Sequence, residues 1–340
     1  MRDDDDRAVT EDARTGKGDA PIGKGDAPSG REEEGWQTIG DVRLIERSVR
    51  SEEMTALELL YRELTRALSE NVGLTVTQYR ILLKLQELSN KARIKDIASG
   101  LGMRSNLVSM AVNALEKRKL IRRVRGKSDG RATNVVLTNF GISTLGLATD
   151  SVGAHLASLW KDLPRDEAEK AQSTMIAIGE NLTGGHQEET GTFIGSEYVT
   201  TIVDVHDRFC DIAKGAANLT YTGWRVLKMV HDLDGRARMG DLANRLFLLP
   251  STLTWIGGQL EDLGFVTRES DTETANGIYL AITATGSKAV ETVQKAVDGA
   301  LMPMLWGDLP DEQYMASRNG SDLIVREFAV RREIADGGGA

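Results

Sequence analysis

Residues 74–85 read LTVTQYRILLKL, and residues 219–230 read LTYTGWRVLKMV. Leu74, Thr75, Thr77, Arg80 and Leu82 return as Leu219, Thr220, Thr222, Arg225 and Leu227, 145 residues later. At the same offset Ile97-Ala98 meets Leu242-Ala243, Leu115-Glu116 meets Leu260-Glu261, and VLTNFG at 136–141 meets AITATG at 281–286. Further on, LWKDLP at 159–164 meets LWGDLP at 305–310 after a slip of one residue. A period far above the roughly 20–50 residues of solenoid repeats points to duplicated domains.

Each copy carries the signals of a small helical domain with a hairpin. From 77 to 88, Tyr79, Ile81, Leu82, Leu85 and Leu88 fall at helical spacing, and Thr75 or Thr77 is placed to cap that helix. IKDIASGLG (94–102) predicts a short helix stopped by Gly102. SNLVSMAVNALEKRK (105–119) predicts a third, with an apolar stripe of Val108, Ala111, Val112 and Leu115 opposite polar Ser105, Ser109 and Asn113. LIRRVRGKSDGRATNVVLT (120–138) sets two β-prone runs around a Gly/Ser/Asp tip, a hairpin signal. Long helices at 36–70 and 142–182 would flank these elements. The order is that of a winged helix-turn-helix. The expected fold is mainly α with small β-hairpin wings: tandem winged helix-turn-helix domains joined through a helical, dimerisation-like layer. The expected divisions are an acidic low-complexity tail at 1–35, a first domain at 36–182, a linker at 183–196, a second domain at 197–334 and a frayed end at 335–340.

Composition bounds the function. The 340 residues are 40% hydrophobic, 27% charged and 5% aromatic, as in a globular protein. No run approaches the ~18 apolar residues that a membrane span needs, and the acidic start MRDDDDRAVTED lacks the apolar stretch of a signal peptide. A single cysteine, Cys210, excludes an intrachain disulfide and a cysteine-based zinc site. A cytoplasmic location without membrane contact follows as the expectation. The first 35 residues repeat KGDAP with a period of seven and hold six basic and eleven acidic residues, a balance of −5. Such a segment cannot bury enough apolar surface to offset its ordering entropy. It carries more than half of the net charge of −9, so charge has to be read region by region.

The run from LTVTQYRIL through IKDIASGLGMRSNLVSMAVNALEKRKLIRRV to SDGRATNVVLT resembles the MarR family of bacterial transcription regulators. The matching marks are Leu-Thr-x-x-Gln-Tyr, the Leu-Glu before the hairpin, and the wing motif Asp-x-Arg…Val-x-Leu-Thr at Asp129, Arg131, Val135, Leu137 and Thr138. The resemblance extends over both copies. The family usually has glycine where this chain has Lys119; the second copy keeps it as Gly264. The resemblance implies a homodimeric plan in which terminal helices of two subunits interleave. A short linker between two copies would turn that plan into a covalent pseudo-dimer, with self-association of fused chains as a further option.

Fusion frees the halves to diverge, and their charges have diverged. From Arg104 to Val135 there are nine basic and two acidic residues; from Leu249 to Leu280 there are one and five. Double-stranded DNA needs a basic surface to displace its counterions, so the first copy is the expected reader. Arg104, Ser105, Asn106, Ser109 and Asn113 are candidates to face the major groove, where Asn pairs with adenine and Arg with guanine. Arg122, Arg123, Arg125 and Lys127 would meet phosphates. Arg131 would enter a minor groove from the wing tip, held by Asp129. In the second copy Asn276 and Thr274 replace Arg131 and Asp129, and Gly257-Gly258 stands in the reading helix. The bland alternative is a solvated basic face.

Other constellations are weaker. Tyr79-Arg80 and Trp224-Arg225 pair an aromatic ring with a guanidinium, which could hold a small aromatic or phenolic effector of the class the resemblance suggests. A buried ring beside a surface arginine is the plainer reading. His206 and Cys210, four apart, make too few ligands for a metal site. Trp160 and Trp306 read as core anchors. No phosphate loop, nucleophile elbow or carboxylate pair is present, so neither a cofactor nor an enzyme is expected. The expected function is a sequence-specific DNA-binding transcriptional regulator, a repressor in the first instance, modulated by a small molecule. The alternative is a degenerate regulator that serves as a ligand-binding or protein-interaction module.

Overall fold

A computed structural model of the chain describes residues 36–39, 42–45, 47–125, 133–161, 164–183, 194–270 and 277–337. The expected tail at 1–35 lies outside them, as does most of the expected linker. The chain divides into two units after Glu46. Before that point β1 (Trp36–Ile39) pairs antiparallel with β2 (Val42–Ile45). The expected helix at 36–70 is therefore corrected: helix begins only at Ser51. WQTI and VRLI flank Gly40-Asp41, and that turn pair between two short β-prone runs is a hairpin pattern.

From Arg47 onward the body is mostly helical with small antiparallel sheets. It begins with α1 (Ser51–Val72), α2 (Val76–Glu87), β3 (Lys91–Arg93), α3 (Ile94–Gly100), α4 (Ser105–Lys117), β4 (Ile121–Arg125), β5 (Thr133–Leu137), α5 (Asn139–Trp160) and α6 (Arg165–Thr183). It continues with α7 (Ile194–Ala217), α8 (Tyr221–Asp232), β6 (Arg236–Arg238), α9 (Met239–Arg245), α10 (Pro250–Asp262), β7 (Val266–Ser270), β8 (Ile278–Ile282), α11 (Ala284–Ala296), α12 (Met302–Trp306) and α13 (Asp311–Gly337). α7 starts three residues inside the expected linker, and α13 runs into the expected frayed end.

Every element from α2 to β5 recurs 145 residues later, from α8 to β8. The sheets have the orders β3-β5-β4 and β6-β8-β7. Ala92 opposes Val135 in the first, and Ala237 opposes Leu280 in the second. The short third strand of each sheet is absent from the sequence reading, because three residues carry no usable alternation. Left-handed backbone positions recur as well: Gly73 with Asn218, Ser89 with Asp234, Asn90 with Gly235, Gly102 with Phe247, and Lys119 with Gly264. The one-residue slip in the sequence has a physical seat. α5 is one continuous helix, whereas a π-helical turn at Val297–Leu301 separates α11 from α12. A π-turn accommodates one extra residue within a helix.

Local chemistry explains the repeated motifs. Thr75 caps α2 by accepting from the Gln78 amide at 3.2 Å, while the Gln78 side chain accepts from the Thr75 amide at 3.1 Å. Thr138 and Thr283 cap α5 and α11 by accepting from Gly141 and Gly286. Their hydroxyls also donate to the carbonyls of Lys119 and Gly264, at 2.8 and 2.7 Å. A Cβ on Gly141 or Gly286 would stand 2.0 or 2.1 Å from the carbonyl oxygen of Leu120 or Phe265. That close approach is why Leu-Thr-x-x-Gly and Ile-Thr-x-x-Gly end in glycine. Lys119 sits at φ 60° where Gly264 sits at 71°. A Cβ in this region costs about 1 kcal/mol. Lys119→Gly is expected to stabilise the fold by about that amount in urea unfolding.

The helical layer is built from both halves. α1 packs on α5, α7 and α13, and α6 packs on α7 and α13. Met54, Leu64 and Leu68 of α1 and Ile202 and Phe209 of α7 form its buried centre. Trp306 is buried there against the edge of Tyr314. The side chain of Trp160 lies outside the described residues.

Candidate nucleic-acid interface

α4 turns Val108, Val112 and Leu115 into the core and leaves Arg104, Ser105, Asn106, Leu107, Met110, Asn113 and Lys117 exposed. Ser109 is half-buried. The outward stripe is thus Asn106, Met110, Asn113 and Lys117, a different set from Ser105, Ser109 and Asn113. β4 follows, with Arg122, Arg123 and Arg125 all exposed. The side chains of Arg104, Asn106, Arg122 and Arg125 show no hydrogen bond or ion pair to other described residues. Lys127, Asp129 and Arg131 lie outside the described residues.

Two expected contacts are already engaged within the protein. Arg123 pairs with Glu116 and donates to Asn113 Oδ1 at 2.7 Å, so the amide oxygen expected to read a base holds the wing instead. Arg118 donates to the carbonyls of Val72 and Gly73, closing the end of α1. The basic surface is therefore narrower than the sequence count. The second half repeats the internal pair as Arg268–Glu261 at 3.5 Å. There Gly258 removes the side chain that Asn113 supplies, and Arg268 reaches the Thr254 carbonyl at 2.8 Å. Thr267 and Ser270 stand in the places of Arg122 and Arg125.

Neither arginine of the aromatic-arginine pairs is a surface residue, which corrects the plainer reading of them. Arg80 is 8% exposed and Arg225 is 1% exposed. From α2, Arg80 donates to Asp207 at 2.9 Å and to Asp204 at 2.5 Å, both on α7. From α8, Arg225 donates to Thr55 on α1 and to the Leu246 carbonyl, both at 3.3 Å, and lies 3.8 Å from Glu58. Each half's arginine thus grips the first long helix of the other half. Both Nη atoms of Arg80 are occupied, and neither Tyr79 nor Trp224 is accessible. Tyr79 donates or accepts with Thr149 at 3.0 Å, and burial pushes its hydroxyl up to about 12. These residues are packed as structure. The partners of the two arginines on α1 and α7 lie more than 120 residues away in sequence, so no local signal could have shown it.

His206 lies between the two grips. It stacks on Tyr61 at 3.9 Å, meets Tyr221 edge-on at 5.0 Å, and contacts Glu58 at 3.3 Å and Cys210 at 3.7 Å. Burial opposes its charge, but the Asp207 carboxylate at 4.0 Å and the contacts with Cys210 and Glu58 outweigh that and raise it to about 11. A raised folded value means the stabilisation is complete below the unfolded value of about 6.5 and fades as pH climbs toward the folded one. Tm is therefore expected to fall between about pH 6.5 and 9 in the native chain, and less so in His206→Phe.

Residues 72–132 match the MarR family. That segment holds α2 through β4. The HTH-type transcriptional regulator FarR of Neisseria gonorrhoeae is 33% identical over 82 residues, which are 24% of this chain and 56% of FarR. The chain thus spans little more than half the length of that curated relative. Among solved structures, YusO from Bacillus subtilis is 21% identical, covering 34% of this chain and 79% of YusO, with a TM-score of 0.31. Sco3205, a MarR family transcriptional regulator from Streptomyces coelicolor in complex with DNA, is 25% identical, covering 40% of this chain and 87% of its own, with a TM-score of 0.32. No helix among the described residues is long and apolar enough to cross a membrane.

Proposed function

We propose that this chain is a sequence-specific DNA-binding transcriptional regulator, acting as a repressor, in which two winged-helix halves are fused into a pseudo-dimer and the first half is the reader. The observation that carries the reading is the exposed Arg104, Asn106, Arg122 and Arg125 of α4 and β4, inside the MarR-matching segment. The reading helix would enter the major groove, with Arg104 and Asn106 at its N-terminal end toward base edges and Arg122 and Arg125 on phosphates. Arg131 would add a minor-groove contact. Support for the fused arrangement comes from the 145-residue recurrence of elements and left-handed positions, and from the stacking of Tyr61 on its counterpart His206. The protein is proposed to act in the cytoplasm without catalysis. If a small aromatic molecule modulates it, that molecule binds elsewhere than Arg80 and Arg225, which are buried between the helices. A gel shift with the DNA upstream of the chain's own gene, at two salt concentrations, tests this. Binding that weakens steeply with salt is expected; no shift at low salt would leave a ligand- or protein-binding module as the reading.

A further inference from the structure

The second half's counterpart of the reading surface is neither basic nor merely polar. α10 exposes Trp255 at 62% and its preceding Leu249 at 69%, and β8 exposes Ile278. Asp241, Glu261, Asp262 and Glu269 are exposed around them. Glu269 and Glu261 are positioned by Arg236 and Arg268, at 2.8 and 3.5 Å, while Asp241 and Asp262 have no ion pair among the described residues. An open groove of about 390 Å³, lined by Arg238, Asp241, Asn244, Pro250, Leu253 and Ile278 among others, runs beside them. Grouped exposed apolar side chains within a polar rim mark interaction surfaces, and tryptophan is the commonest energetic anchor of such surfaces.

The surface that fits it is on this same chain. The first half's reading face exposes Leu107 and Met110 on α4, with Arg104 at the start of that helix and Arg122 and Arg125 on β4. It can set apolar side chains against those of the second face and guanidiniums against Asp241 and Asp262. Two second faces would oppose acidic rims, and two first faces would oppose arginines. We infer that the second reading face of one chain docks on the first reading face of another copy, so that self-association and DNA compete for the same arginines. The docking itself needs only the arginine rim; the competition rests on the DNA reading proposed above.

Sedimentation velocity of the full chain at rising concentration, in low and in high salt, tests the inference. Association is expected at low salt and to weaken by about tenfold or more in Trp255→Glu or Leu249→Glu. Both side chains point to solvent, and circular dichroism of the variants should match that of the native chain. Added duplex should return the native chain to single copies bound to DNA. A chain that stays monomeric at about 100 µM in low salt, or association unchanged in both variants, overturns the docking. Association that persists undiminished on DNA-bound chains also overturns it. Association that depends on Trp255 in a chain that never binds duplex upholds the docking and sinks the DNA reading instead.

Discussion

Glu58→Ala is expected to lower the unfolding free energy by about 3–5 kcal/mol, the largest stability loss of any single polar substitution in the helical layer. Arg225 is almost wholly buried, and burial pulls its guanidinium below the ordinary arginine value. Its nearest carboxylate is Glu58, at 3.8 Å. Burial pushes the Glu58 carboxyl up, yet the His206 hydrogen bond and the Arg225 charge outweigh this and hold it below its ordinary value. Removing that carboxylate leaves two cations, Arg225 and His206, without their shared counter-charge. Arg225→Met is the contrast: it removes the buried cation, keeps much of the volume, and leaves Glu58 with His206. Its cost is expected within about 2 kcal/mol. Urea unfolding of the three proteins checks the order. Equal losses in the two variants would mean that volume rather than charge holds the halves together at this point.

The second large effect is on DNA. Arg122→Glu with Arg125→Glu is expected to weaken duplex binding by about a hundredfold or more at low salt, and to flatten the salt dependence by about two units. Thr267→Glu with Ser270→Glu, at the equivalent places of the second half, is expected to change affinity less than about threefold. All four side chains are exposed, so folding is not at issue. The asymmetry follows from composition: the first face retains unengaged guanidiniums, whereas the second has Thr, Ser and carboxylates in their place. Comparable losses in both double variants would mean that both faces meet DNA.

The order of elements was legible because capping and close-approach residues are local. Thr75, Thr138 and Thr283 cap helices that begin at the next residue, and Gly141 and Gly286 stand in the first turns of α5 and α11 against the carbonyls of Leu120 and Phe265. The 145-residue offset was equally open to reading, including its slip, whose cause in a π-turn was not. The β1–β2 pairing departs from the expected helix at 36–70 because two four-residue runs carry too few positions to set a strand period against the helical one that follows. Burial of Arg80 and Arg225 could not be read, since the helices that cover them, α7 and α1, come from the other half. The candidate reading face was found, but its internal pairs were not: Arg123 reaches back seven residues to Glu116 and ten to Asn113 across the turn from helix to wing. Nor did spacing alone tell that Met110 and Trp255 point outward at equivalent positions, because a polar stripe and an apolar one share the same helical period.

Hydroxyl-radical footprinting with measured stoichiometry tests the asymmetry between the halves most directly. In a two-fold reader, recognition helices lie about 34–36 Å apart and protect two half-sites equally. One bound chain is expected to protect a single half-site strongly, and the neighbouring half-site one turn away weakly or not at all. Strong and equivalent protection of both half-sites by one chain would contradict it.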